Sequence, residues 1–212
     1  GEKETLGLYL TGHPIDQYEP HIRSFHCMKI GDLAPNRRGQ NSRIAGLILG
    51  MRVMVTKAGK RMGIITLDDK SARLEITVFA DLLDQYEDLL VTDNVVILQG
   101  QVSEDFFNGG LKMSCREVMS IEQARERFAS KLRLKINANN IGENFQEQLQ
   151  NVLEPAIGGV CPVFIEYTNA TAQAELSLGL SWAITPTDNL LFELSKLVGE
   201  ENITLHFDHV NS

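Results

Sequence analysis

"SRIAGLILGMRVMVT", Ser42–Thr56, followed after the turn "KAGK" by "RMGIITL", Arg61–Leu67, and after "DDKS" by "ARLEITVF", Ala72–Phe79, is the stretch on which the fold is decided. All three runs are apolar and rich in β-branched residues, and turn-forming Gly, Lys, Asp and Ser separate them, as in strands joined by hairpins. In the third, Leu74, Ile76 and Val78 alternate with Arg73, Glu75 and Thr77, the period of a strand with one buried and one wet face. The spacing predicts a three-stranded meander.

Outward from that meander the period changes. In "ADLLDQYEDLL", residues 80–90, Leu82, Leu83, Tyr86, Leu89 and Leu90 recur at helical spacing. "NVVILQGQVSED" from Asn94 and "GLKMSCREVMSI" from Gly110 return to strands, joined by a loop containing Asn108, Gly109 and Gly110. Five strands with one helix between the third and fourth is the order of a β-barrel OB-fold. Its long first strand bends to pair on both sides, and Gly46 and Gly50 are placed to permit the bend. Ahead of it, "ETLGLYLTGHPIDQY", Glu4–Tyr18, reads as a helical hairpin: Leu6, Tyr9 and Leu10 form a stripe, Gly12 a stop, and Pro14 the opening of a second helix. Beyond Ile121, "EQARERF" is a helix, "KLRLKI" a strand, "NFQEQLQNVL" a helix, and "PVFIEY" and "AELSLG" strands. "PTDNLLFELSKLVG" is a helix capped by Thr187 or Asp188, with Leu190, Leu191, Leu194 and Leu197 on its apolar face and Gly199 as its stop; "ITLHF" is a last strand. The expected organisation is a helical connecting segment over residues 1–42, an OB-fold over 43–120 and a small α/β domain over 121–212.

Composition bounds the function. The chain has 212 residues, 43% hydrophobic and 23% charged, the balance of an ordinary globular protein with room for two small domains. Its longest apolar run, "IAGLILGM", is far too short to span a bilayer, and no signal-peptide pattern opens it, so no membrane partner and a cytoplasmic location are expected. Cys27, Cys115 and Cys161 are odd in number and far apart, which fits reduced, buried thiols without a disulfide. Charge is asymmetric: residues 1–80 carry 12 Lys and Arg against 8 Asp and Glu, and residues 81–212 carry 8 against 20. The first part suits a phosphate backbone; the acidic second part repels one and suits protein.

No motif supports catalysis. Asp68 and Asp69 lie where a hairpin must turn, and as neighbours on a strand they would point to opposite faces, so they read as turn residues and not as a metal-binding pair. His21, His26 and Cys27 lack a zinc-spaced partner, and His206 with His209 lacks a third ligand. "KAGKR" fails the phosphate-loop pattern, having no glycine five positions before Gly59 and no Ser or Thr after Lys60. Neither a metal nor a nucleotide cofactor is expected. What remains is the barrel's face. Arg52, Lys57, Lys60, Arg61 and Arg73 cluster around the first three strands and their turns, and Phe106 and Phe107 stand in the loop before Lys112. OB-folds hold single strands with a basic groove and aromatic platforms. Each residue also has a plainer reading, the charges as a solvated face and the phenylalanines as a clasp closing the loop. Residue by residue the two readings stand level; taken together, the patch favours binding.

"LGLYLTGHP", then "RVMVTKAGKRMGIITLDDKSARLEITVF", then "GGLKMSCREV" closely resemble the C-terminal region of the alpha subunit of bacterial replicative DNA polymerase III. The resemblance covers essentially the whole chain, is weakest from about residue 136 to 159, and is clear again at "PTDNLLFELSKLVG". It implies that the hairpin leads into the OB-fold from the polymerase's clamp-binding region. In that family the catalytic carboxylates, the histidinol-phosphatase-like domain and the clamp-binding peptide lie upstream, so the resemblance implies a non-catalytic part of a nucleotidyltransferase. It further implies that the OB-fold contacts single-stranded template DNA, that the final domain docks on the tau subunit of the clamp loader, and that the rest of the alpha subunit is a third partner. Joined to the acidic charge, it points to Phe192, Lys196 and the strand residues Ile203, Leu205 and Phe207 as tau contacts, with Trp182 either core or interface. Two departures stand out: Pro20 in "QYEPHIRSF", where the second helix should kink or restart, and the tail "HVNS" past the family's usual end. The alternative function is a structural adaptor whose OB face binds protein instead of DNA.

Overall fold

The computed structural model describes residues 12–208. The helix expected from Leu6, Tyr9 and Leu10 and the tail from His209 lie outside the described residues. Two compact units divide the chain at Ile121 and Glu122.

In the first unit Pro14 does not open a helix. It belongs to a turn that runs into a 3-10 turn over Asp16–Tyr18. The helix proper, α1 (Glu19–Ser24), restarts at Pro20, which sits in the first turn where an amide has no intrahelical partner to lose. The segment that follows belongs with the barrel: Ile30 and Leu33 are buried in its core, and the Ile30 and Gly31 amides donate to Asp69 Oδ2 at 2.7 Å and Ser71 Oγ at 2.9 Å.

The barrel itself is closed, in the order β1-β2-β3-β5-β4. Its strands are β1 (Ser42–Val55), β2 (Arg61–Asp68), β3 (Arg73–Phe79), β4 (Val95–Glu104) and β5 (Leu111–Ser120), with α2 (Ala80–Gln85) between the third and fourth. β1 pairs with β4 from Ser42 to Leu47 and with β2 from Leu47 to Val55, slipping register between Ile48 and Gly50. That bulge lets one strand serve two neighbours. Gly46 is needed for a separate reason: a Cβ there would sit 2.7 Å from Leu67 Cγ and 2.9 Å from the Asp68 carbonyl oxygen. Ile44, Ile48, Ile65, Ile76, Leu98 and Met113 fill the interior. The helical pattern of residues 80–90 yields only the short α2; Tyr86, Leu89 and Leu90 continue as turns that still pack on this core, with Leu83 and Leu90 fully buried.

Helix α3 (Ile121–Phe128) leads into the second unit, whose four-stranded sheet runs β10-β6-β8-β9. Here β6 is Ala129–Asn137, β8 Val163–Thr168, β9 Gln173–Ser177 and β10 Ile203–Phe207. β6 and β8 are parallel, connected through α4 (Phe145–Leu153). α5 (Asp188–Val198) starts at Thr187, whose Oγ1 accepts the Leu190 amide at 3.1 Å, and stops at Gly199. Leu149, Leu153, Leu190 and Leu194 pack on Leu132, Leu134 and Val163. The short β7 (Ile157–Cys161) was not expected; it joins no ladder among the described strands and is held by isolated bridges to Ile184 and by the Gly158 amide on the Ala183 carbonyl at 3.1 Å, with Gly159 pressed against the Ile184 backbone. Trp182 packs against the core.

Candidate nucleic-acid interface

Strand register fixes what the barrel presents outward. In β2 and β3 the buried positions are Gly63, Ile65 and Leu67, and Leu74, Ile76 and Val78, so their neighbours face away from the core. Cross-strand pairing arranges those neighbours in rows: Gly50, Thr66, Glu75 and Lys112; then Arg52, Ile64, Thr77 and Ser114; then Met54, Met62 and Phe79. The middle of the face thus sets the neutral side chains of Ile64, Thr66, Thr77 and Ser114 beside Arg52 at one edge and the Glu75 and Lys112 pair at one end. The loop between β4 and β5 lies at the Lys112 end, and the turn between β1 and β2 at the Met62 and Phe79 end.

Asp105 builds the loop. Its Oδ1 accepts the Phe107 amide at 3.1 Å and the Asn108 amide at 3.3 Å, its Oδ2 accepts Asn108 Nδ2 at 3.1 Å, and its own amide donates to the Gly110 carbonyl at 2.9 Å. Gly109 and Gly110 both take positive φ, +74° and +79°, which closes the turn at a geometry that disfavours other residues. The Asn108 amide, with the backbone amides and Lys112 nearby, holds the Asp105 carboxyl below its usual range. With the loop held by these bonds, the two side chains at the tip point to solvent: Phe106 is 87% exposed and Phe107 94%. A clasp would bury them. At the other end Lys57 and Lys60 are exposed on a turn closed by the Thr56 amide to the Lys60 carbonyl at 2.8 Å.

The arginines are placed differently from the lysines. Arg52 reaches Glu75 at 3.2 Å, Arg61 reaches Asp84 at 3.4 Å, and Arg73 reaches Asp68 at 3.0 Å. Each therefore carries its own counter-charge, while Lys57 and Lys60 have no carboxylate partner among the described residues. Asp68 and Asp69 spend their oxygens inside the turn, on the Lys70 amide and Arg73, and on Ser71, Ala72 and Ile30. Among the described residues no group of three or more His, Cys, Asp or Glu is gathered as a metal site would require, and no helix is long and apolar enough to cross a membrane. Phe79 is a surface residue that motif reading passes over, although the alternation that puts Arg73, Glu75 and Thr77 outward puts it outward too; it is 50% exposed.

In the second unit Phe192 is 60% exposed, with Lys196 Nζ 4.9 Å above its ring and 2.8 Å from Glu193. Ile203, Leu205 and Phe207 lie on the last strand, β10. They pack half-buried against the core, because alternation spends every second residue of β10 on the helices beneath. The side chains that β10 turns the other way are Thr204 and His206.

Residues 43–121 match the model of an OB-fold nucleic acid binding domain, and residues 148–199 that of the DNA polymerase III subunit alpha, C-terminal domain. The chain is 45% identical over 208 residues to DNA polymerase III subunit alpha of Vibrio cholerae and 47% identical over 209 residues to that of Escherichia coli. Each match covers 98% of this chain and 18% of the relative, so the chain spans about a fifth of the length of the curated relatives. Among solved structures it is similar to the second OB-fold domain of replication protein A from Methanococcus maripaludis, with 20% identity, a TM-score of 0.36, and coverage of 45% of this chain and 94% of that one.

Proposed function

We propose that this chain, which belongs to the C-terminal region of the DNA polymerase III alpha subunit family, guides single-stranded DNA along its barrel face and carries no chemical step itself. The observation that supports this most is the loop at Asp105, which spends its hydrogen bonds on holding two adjacent phenylalanines in solvent, where folding gains nothing from them. Adjacent exposed aromatics mark an interaction surface, and bases stack on such rings with little regard to sequence. Lys57 and Lys60 supply charge for the phosphates at the opposite end of the face. In the intact subunit this would keep template near the polymerase, and the second unit, with six basic against twelve acidic residues over 121–212, would hold the tau subunit of the clamp loader through Phe192 and Lys196. The setting would be the bacterial replisome in the cytoplasm.

One observation favours the adaptor reading: three of the six barrel cations predicted to meet DNA already hold carboxylates. Titrating labelled oligodeoxythymidylate at two salt concentrations separates the two. Phosphate contacts release counterions, so affinity must fall as salt rises, by about 0.7 logarithmic units per phosphate engaged on a single strand for each tenfold rise in salt. Absence of binding at low salt would reject the DNA reading and leave the adaptor.

A further inference from the structure

We infer that Phe79, with Met62 and Met54, forms a second base-stacking platform at the far end of the face, so that a bound strand is gripped by aromatic contacts at both ends. This platform presupposes the single-strand reading above and adds to it where the strand leaves the barrel. The three side chains occupy one cross-strand row, Met54 opposite Met62 and Met62 opposite Phe79. Met54 is 46% and Phe79 50% exposed. This is the most apolar end of a face whose other rows carry Arg52, Thr66, Glu75, Thr77, Lys112 and Ser114. Sulfur and ring together give a flat, polarisable surface suited to the π-face of a base.

Charge selects the occupant. The row adjoins the turn that carries Lys57 and Lys60, exposed cations for which no ion pair forms among the described residues, which suits an anionic chain bearing apolar faces; that describes a nucleic acid strand better than an acidic peptide. The length of the path agrees. Glu75 at the loop end and Phe79 at the turn end are four residues apart on β3, about 13 Å at the usual strand rise, a distance that asks for several nucleotides and falls within the range that one OB-fold holds, about 4 to 16.

The test uses the 212-residue chain and oligodeoxythymidylates carrying a single abasic position, moved stepwise along the strand. The wild-type profile should have two sensitive positions separated by several insensitive ones. Phe79→Ala should abolish one of them and weaken binding about five-fold or more, with an unchanged salt slope, and Phe79→Tyr should restore both. Circular dichroism checks the fold. Should Phe79→Ala unfold, Met54→Ala at its exposed site takes its place, with the same loss expected. A wild-type chain that binds no oligonucleotide overturns the single-strand reading itself. Binding with a single sensitive position, or an unchanged profile in the folded Phe79→Ala chain, overturns the second platform alone.

Discussion

Replacing Asp105 by Ala sets two effects of opposite sign against each other. Losing a carboxylate near a DNA-binding face should tighten binding on electrostatic grounds, whereas losing the acceptor of the Phe107 and Asn108 amides should free the loop and make stacking costlier in entropy. The scaffold role predicts a several-fold weaker oligonucleotide affinity in Asp105→Ala, measured by anisotropy; tighter binding would leave only the charge. Because the folded-state pKa of this carboxyl lies below its ordinary 3.8, its contribution is complete above that value and is lost as pH falls through the lowered one. Binding near neutral pH should not respond to it. A second residue-scale prediction divides the cations. Lys57→Ser with Lys60→Ser should flatten the salt slope by about 0.7 for each phosphate no longer neutralised, while Arg52→Ser, which leaves Glu75 in place, should change it far less. Equal effects would mean that the ion pairs open on binding. The sequence names all of these cations but not their partners. Arg52 and Glu75 are 23 residues apart and meet only because β1, β2 and β3 take a particular register.

For the elements, the glycines of β1 make a paired prediction. Gly46→Ala drives a methyl into Leu67 and the Asp68 carbonyl and should cost roughly 1–3 kcal/mol as an overpacked site, whereas Gly50→Ala enters open space and should be nearly neutral. Urea denaturation followed by a barrel-localised probe would compare them; equal costs would place the bend, and not the close approach, at the root of both glycines. In the second unit, Thr187→Ala removes the cap of α5 and should cost about 1 kcal/mol. Elements with a strong period are legible in the sequence alone: the barrel strands, α4, α5 and the strands around them. β7 is not, since "IGGVC" has no alternation and is held by Ile184, a neighbour that no local pattern encodes. β10 is legible as a strand, but the sequence does not say which of its faces the helices cover, and so Ile203, Leu205 and Phe207 are expected at a surface that they only half reach.

For the molecule as a whole, the acidic excess is concentrated in the second unit, with 6 Lys and Arg against 12 Asp and Glu over residues 122–212, while residues 1–121 carry 14 against 16; the proposed protein contact falls in the second unit and the proposed DNA contact on the barrel of the first. Phe192→Ala and Lys196→Glu, both at exposed sites on α5, should weaken calorimetric binding to tau without altering oligonucleotide affinity. Two folded variants that bind tau as tightly as the parent chain would move that interface elsewhere. The central claim, that a single strand lies across the barrel between the β1–β2 turn and the β4–β5 loop, is tested most directly by amide hydrogen exchange of the whole chain with and without saturating oligodeoxythymidylate. Slowed exchange is expected at residues 56–60, across β3 and at residues 105–110, with the second unit unchanged. Protection confined to residues 122–208, or absent from both the turn and the loop while the oligonucleotide is bound, would contradict it.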